Sequence, residues 1–171
     1  MADAGSPRIP PGTLFRNPAN FLALGGGSGL APKAPGTFGT LAAVPLAFLM
    51  PAGVAAQIVV IVVLFVIGVW CCDRCARDLG VHDHGGIVWD EIVGYLLTML
   101  ALPRSLGWIV LGFVLFRVFD IAKPWPIGAI DRRVGGGFGI MIDDIVAALF
   151  AAVILQLLWR AEWLAEVPGF G

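Results

Sequence analysis

The sequence predicts an all-α fold: a compact polytopic membrane helical bundle of about four to five membrane helices, the first of them short or re-entrant. Three observations carry that prediction. Apolar residues fill 58% of the 171 positions and charged residues 13%, against about 45–50% (glycine included) and about 25% in soluble domains. The mean hydropathy of +0.89 would leave a water-soluble globule with more apolar surface than it could cover. Residues 34–72 contain no charge, a run of 39 positions that is too long for one bilayer crossing of about 20 residues and right for two. The same composition excludes a disordered chain, and a net charge of −1 gives no electrostatic basis for a nucleic-acid partner.

Within the uncharged run, Pro51-Ala52-Gly53 reads as the turn between two helices. The first starts near Thr37, after Pro35-Gly36, and ends at Met50. At 1.5 Å per residue it reaches only about 20 Å, short of a core about 30 Å thick. The second, over residues 54–72, is full length. A third spans 87–102 and ends at Pro103-Arg104-Ser105; a fourth spans 106–122 and is stopped by Pro124 and Pro126. Residues 131–139, with Gly135-Gly136-Gly137 at their centre, read as loop, and a fifth helix covers 140–159. Trp70, Trp89, Trp108, Trp125, Trp159 and Trp163 fall near segment ends, as an interfacial aromatic belt requires. Three regions follow: a cytoplasmic tail over 1–19, a membrane domain over 20–160 and a C-terminal tail over 161–171. The first 20 residues lack a basic head followed by an apolar core, so no secretory signal is expected.

Lys and Arg positions orient the bundle. With the N-terminus in the cytoplasm and five crossings, Arg8, Arg16, Lys33, Arg74, Arg77, Arg117, Lys123, Arg132 and Arg133 lie inside, and only Arg104 and Arg160 outside. This topology gathers the unusual residues on the cytoplasmic face: the Gly25–Gly29 stretch, Lys33, His82-Asp83-His84, Asp90-Glu91, Arg117, Asp120, Lys123 and Asp143-Asp144. Arg117, Asp120 and Lys123 are three apart and share one helix face. Ionisable groups at membrane depth are costly and mark functional sites. Clustered carboxylates are hard oxygen ligands suited to Mg²⁺, and the interspersed cations suit a phosphate. The combination points to a metal-assisted phosphoryl reaction on a lipid headgroup. Helix-dipole complementation by the acidic pairs and a structural Arg117–Asp120 ion pair are the plainer readings.

Two other chemistries find no support. The glycine run lacks the Gly-x-x-x-x-Gly-Lys-Ser/Thr spacing of a nucleotide loop. Cys71 and Arg77 have the Cys-x5-Arg spacing of thiol phosphatases, but the segment between them has no glycine and continues a helix, so it cannot wrap amides around phosphate. The three cysteines, Cys71, Cys72 and Cys75, are read as reduced and structural, consistent with a reducing compartment.

Four blocks, in order, resemble the bacterial phosphatidylglycerophosphatase A family: Gly27-Ser-Gly-Leu-Ala-Pro-Lys-Ala-Pro-Gly-Thr-Phe-Gly-Thr40, Val81-His-Asp-His-Gly-Gly-Ile-Val-Trp-Asp-Glu-Ile-Val-Gly94, Phe116-Arg-Val-Phe-Asp-Ile-Ala-Lys-Pro-Trp-Pro-Ile127 and Gly136-Gly-Phe-Gly-Ile-Met-Ile-Asp-Asp-Ile-Val-Ala147. Thr40 and Gly86 stand where serine is expected, and neither change removes a charge. The resemblance implies a multi-pass enzyme of the bacterial inner membrane with its site facing the cytoplasm. It would hydrolyse the terminal phosphomonoester of phosphatidylglycerophosphate with Mg²⁺. Carried over residue by residue, Asp83, Asp90, Glu91, Asp143 and Asp144 would hold one or two Mg²⁺. Lys33, Arg117, Lys123 and Arg132 would neutralise the phosphate. His82 or His84 would move the proton, with Asp83 and Asp120 also counted as catalytic. Whether water or a carboxylate attacks stays open, as do the oligomeric state and the acyl-chain preference. A non-enzymatic rival, an ion pathway, would spread its charges through the bilayer rather than collect them on one face.

Overall fold

Prolines and glycines set most helix boundaries in the structure, a computed structural model in which residues 9–81, 83–164 and 167–170 are described. The chain begins with a 3-10 turn over Pro11–Phe15. Helix α1 (Pro18–Ala23) follows, started by Asn17, whose side chain accepts the Asn20 amide at 2.8 Å. A second 3-10 segment, Gly25–Leu30, bends at Gly26 (φ +62°) and Gly27 (φ +110°), values that favour glycine. Helix α2 (Pro35–Leu49) opens on a proline and ends at Met50, just before Pro51. Helix α3 (Val54–Leu79) ends at left-handed Gly80, where the Val81 amide reaches back to the Ala76 carbonyl at 3.2 Å. The remaining helices are α4 (Trp89–Thr98), α5 (Leu106–Ala122), α6 (Ile127–Arg133) and α7 (Gly136–Arg160). No strand occurs among the described residues.

At 1.5 Å per residue, the 26 residues of α3 and 25 of α7 span about 39 and 38 Å, enough to cross a bilayer. Only 22% of the most apolar stretch of α3 is buried, whereas the core helix of a soluble protein would be mostly covered. These two helices are long and apolar enough to cross a membrane. The 17 residues of α5 reach about 26 Å and the 15 of α2 about 22 Å. Helix α4 is shorter than the 16 residues expected: its 10 residues give about 15 Å. Its start is held back by the turn over residues 84–87, where the Ile87 amide bonds the His84 carbonyl at 2.7 Å. Its far end is drawn into a turn by two glutamines. Gln57 accepts the Ala101 amide at 3.1 Å, and Gln156 donates to the Leu100 carbonyl at 2.8 Å.

Helix α4 is the centre of the packing and touches α2, α3, α5 and α7. Small residues let these helices approach: a Cβ on Gly94 would meet the Phe116 ring at 2.7 Å, and one on Gly68 would meet Met141 Sδ at 2.5 Å. Tyr95 is fully buried and donates to the Ile109 carbonyl at 3.0 Å, so α4 and α5 are pinned where both would otherwise be apolar. Cys71, Cys72 and Cys75 are free and buried, as expected.

Two further expectations need correction. Residues 131–139 are not a loop: α6 occupies 127–133, and α7 begins at Gly136, four residues before the expected start. The reason is close packing, since Gly137 lies against the Val69 carbonyl and the Asp73 backbone, a fit that a glycine run permits. Trp89 and Trp108 do not face outward as a belt would. The Trp89 indole donates to the Leu64 carbonyl at 3.1 Å, and Trp108, 2% exposed, donates to the Phe170 carbonyl at 3.1 Å. The C-terminal residues thus fold back on the start of α5, with the Gly107 amide on the Gly169 carbonyl at 2.6 Å.

Candidate active site

One end of the bundle holds a cavity of about 310 Å³, formed where α2 and α4 start and α5 ends, against the side of α7. Asp90 and Glu91 come from the first turn of α4. Asp143 and Asp144 come from about two turns inside α7, deeper than a helix start. Arg117, Asp120 and Ile121 descend from the last turns of α5. Lys123 caps α5 in a left-handed conformation, Asp83 enters from the α3–α4 connection, and Asp131 from α6. The N-terminus of α2 closes the remaining side with Pro35, Gly36 and Thr37.

Charge is unbalanced here. Seven carboxylates (83, 90, 91, 120, 131, 143, 144) face two cations, Arg117 and Lys123, an excess of five. Both cations are already engaged. Arg117 forms an ion pair with Asp120 and lies 3.6 Å from Glu91. Lys123 bridges Asp131 at 2.6 Å and Asp143 at 2.5 Å, tying α5 to α6 and α7. Burial opposes the charge on Lys123, but Asp143 and Asp131 outweigh it and hold the ammonium above the usual lysine range. Burial likewise opposes ionisation of Asp131, and the Lys123 bond outweighs it and leaves that carboxyl below its usual value.

Four buried carboxylate oxygens have no hydrogen-bond partner: Asp90 Oδ1, Glu91 Oε2, Asp143 Oδ1 and Asp144 Oδ2. Oxygens of Asp90, Glu91 and Asp144 lie within 4.8 Å of one another. Buried anionic oxygens without donors are costly unless a cation supplies the missing charge. An all-oxygen set of this size suits a hard divalent cation such as Mg²⁺ better than a thiophilic one. The residues therefore fit the metal that the sequence suggested.

Glycine at position 36 is required by proximity. An added Cβ would collide with Glu91 Oε1 and come within 3.1 Å of Arg117 Nη1. The start of α2 is thereby pressed against the carboxylates and presents the positive end of its helix dipole to the cavity.

The sequence-predicted residues divide accordingly. Asp83, Asp90, Glu91, Arg117, Asp120, Lys123, Asp143 and Asp144 all line the cavity. Lys33 is exposed, two residues ahead of Pro35 and outside the lining. Arg132 extends over Gly128 on α6, with its Nη1 3.3 Å from a Cβ placed there, and does not line the cavity either. His84 is buried beside the site, and its Nδ1 accepts the Gly86 amide at 3.0 Å. It shapes the turn that carries Asp83. His82 lies outside the described residues. Gly36, Thr37 and Asp131 also line the cavity, without standing out in the sequence as site residues. Their signal was weak: Pro35-Gly36-Thr37 read as a helix start, and Asp131 as part of a loop.

A family model described as phosphatidylglycerophosphatase A matches residues 21–159, the span from α1 to α7. The chain is 51% identical over 145 residues to "Phosphatidylglycerophosphatase A" of Escherichia coli (strain K12), covering 83% of this chain and 84% of that protein. It is 45% identical over 142 residues to the protein of the same name in Haemophilus influenzae, covering 81% and 87%. A Bacteroides thetaiotaomicron protein, provisionally named a phosphatidylinositol-3-phosphatase, is 34% identical over 152 residues, covering 84% and 92%. No solved structure matches.

Proposed function

The chain belongs to the phosphatidylglycerophosphatase A family and is a phosphatase; from that premise we propose that it hydrolyses the terminal phosphomonoester of phosphatidylglycerophosphate, releasing phosphatidylglycerol and inorganic phosphate with Mg²⁺. The observation that carries this reading is the set of four unpartnered, buried carboxylate oxygens in one cavity with Arg117 and Lys123. Asp90, Glu91 and Asp144, with Asp143 and Asp83, would hold the metal. When bound, Mg²⁺ supplies Lewis-acid stabilisation of the charge that develops on the phosphoryl oxygens.

The rest of the reaction falls to the chain. Arg117 and Lys123 neutralise the phosphate monoester, and both are pre-positioned by carboxylates, so little reorganisation is needed as charge builds. The dipole at the start of α2 adds to that field. Hydrolysis requires a P–O bond to form from water and the P–O bond to the glycerol oxygen to break, with one proton leaving the water and one reaching the glycerol oxygen. Asp120, held by Arg117 on the cavity wall, and Asp83 are the carboxylates we assign to these transfers. His84 acts through the turn that positions Asp83.

We place the cavity on the cytoplasmic face of the bacterial inner membrane. Arg16, Lys33, Arg74, Arg77, Lys123, Arg132 and Arg133 belong to its end of the bundle, and Arg104 and Arg160 to the other, as the positive-inside bias requires. Helices α2, α4, α5 and α7 line the site, and α3 ends at Leu79, four residues before Asp83; on this reading the chain passes back and forth in four to five crossings, with α2 and α4 the short members.

The test is phosphate release in detergent micelles from phosphatidylglycerophosphate and from phosphatidylinositol 3-phosphate, with Mg²⁺ or EDTA, for wild type and Asp144→Asn. Release from phosphatidylglycerophosphate that needs Mg²⁺ and is lost in the folded variant is expected. Preference for the inositol lipid would move the substrate to the chemistry in the third relative's name. Release that survives both EDTA and the substitution would remove the metal site.

A further inference from the structure

A lipid phosphatase must bring a headgroup to its carboxylates while the acyl chains stay in the bilayer, and two helices differ from the rest in how they leave the cavity. Helices α2 and α5 run antiparallel. At the site end Gly36 abuts Arg117; at the far end Arg104, just before α5, donates to the Phe48 and Met50 carbonyls at 3.1 and 2.6 Å. Between those ties, α2 gives its buried face to α4, and α5 gives its own to α7 and α4. Gly36, Gly39, Ala43 and Ala47 are buried on α2, with Gly39 against Val88, and Ile109, Gly112 and Phe116 on α5.

The edges beside those buried faces carry matching stripes. On α2 they are Thr37, Leu41, Val44 and Phe48; on α5 they are Ile121, Arg117, Val114 and Val110. Both sets step by four, three and four residues, the spacing of a single helix edge. Thr37, Arg117 and Ile121 line the cavity. Further from it, Leu41 (55% exposed), Phe48, Val114 (49%) and Val110 stand open. Each stripe covers 11 residue steps, about 16 Å, the depth of one leaflet of a core about 30 Å thick. The apolar face of α3 is wider, with Val59, Val62, Val63 and Val66 exposed, but none of those residues reaches the cavity.

We propose that the cavity opens sideways into the bilayer between α2 and α5, and that this cleft holds an acyl chain of the lipid whose phosphate enters the site. The inference rests on the phosphatase reading above and adds the route and the chain-binding surface. Thr37 and Ile121 form its gateway, where the polar cavity passes into the apolar cleft. Leu41 and Val114 are its walls, so bulk at either position competes with the chain and leaves the carboxylates untouched.

The experiment measures kinetics of Leu41→Trp, Val114→Trp and, on the lipid-facing side of α3, Val63→Trp. Each is tested on long-chain phosphatidylglycerophosphate in mixed micelles and on the same headgroup phosphomonoester without acyl chains. For both cleft variants KM for the long-chain lipid rises at least about tenfold with kcat within about twofold, because the lost contacts bind ground and transition states alike. The chainless substrate is hydrolysed as by wild type, and Val63→Trp matches wild type on both. Long-chain KM unchanged in the two cleft variants overturns the proposal. So does an equal loss on both substrates, which would mean the site itself was disturbed. Wild type inert towards both forms removes the phosphatase reading itself, a failure distinct from the other two.

Discussion

Gly36 shows how one missing side chain can set a site. Its α-carbon lies so close to Glu91 and Arg117 that a methyl group would collide with the first and crowd the second. Both partners are largely covered, with side chains 12% and 13% exposed, so there is little room to give. Gly36→Ala should therefore displace the Glu91–Arg117 pair by a fraction of an ångström to about 1 Å, a shift that costs catalysis about 100-fold, while leaving the helices folded. Gly12→Ala is the control, because a Cβ there meets nothing within 4 Å. Activity and circular dichroism of both variants decide it; an active Gly36→Ala enzyme would show that the contact is slack. At Arg117, Arg117→Lys keeps the charge but loses the fork that faces Asp120 and Glu91. A fall of at least tenfold in kcat is expected, and a fully active lysine variant would reduce Arg117 to a point charge. Legibility at this scale followed charge. Asp90, Glu91, Asp143 and Asp144 stood out because each interrupts an apolar run, and the structure gathers them. Gly36 and Thr37 carry no charge, and what matters about them is distance to residues over 50 positions away, which no local pattern encodes.

Helix ends repeat that lesson. The α5 boundaries, 106–122, agree with the sequence reading because Ser105 and Pro124 bracket it, and the tertiary bond at its start uses the Gly107 amide, a first-turn group without a helical partner. Helix α4 is shorter than its apolar pattern because tertiary bonds end it: Gln57 and Gln156 take the backbone of residues 100–101. Helix α7 starts earlier than its pattern because its glycines pack against α3 rather than forming a loop. Arg104 is the far-end counterpart. Its guanidinium donates to the carbonyls of Phe48, Met50 and Pro51, groups that the end of α2 leaves without helical partners, and its charge complements the α2 dipole. Charged hydrogen bonds of this kind contribute about 1.5–3 kcal/mol, less where water competes. Arg104→Ala should lower stability by about 1–3 kcal/mol, a Tm drop of roughly 2–10 °C for a chain of this size, with activity per folded molecule intact below the transition. Thermal unfolding in detergent measures this, and an unchanged Tm would show that water replaces the clasp without cost.

For the whole molecule, the excess of five carboxylates in the cavity sets function against stability. Helices α4, α5, α6 and α7 each contribute at least one of these carboxyls, so the cost of crowding and desolvating them acts against the packing of the entire site end. A divalent cation that binds only the folded bundle reverses that. At a concentration 100 times its Kd it adds about 2.7 kcal/mol, or roughly 5–10 °C in Tm for a chain of this length. The same accounting fixes the sign of a substitution that is harmful for catalysis. Asp144→Asn replaces a buried carboxyl whose Oδ2 has no partner, keeps the side-chain shape, and should raise the Tm of the EDTA-treated protein by a few degrees while abolishing phosphate release. Its Tm should also respond to Mg²⁺ far less than that of wild type, because the proposed metal site would lose one ligand oxygen. Melting wild type and variant with and without Mg²⁺ gives four temperatures that must follow this order. An Asp144→Asn protein less stable than wild type in EDTA would mean that Asp144 holds the bundle together through contacts of its own, and that the strain assigned to the empty carboxylate cluster does not exist.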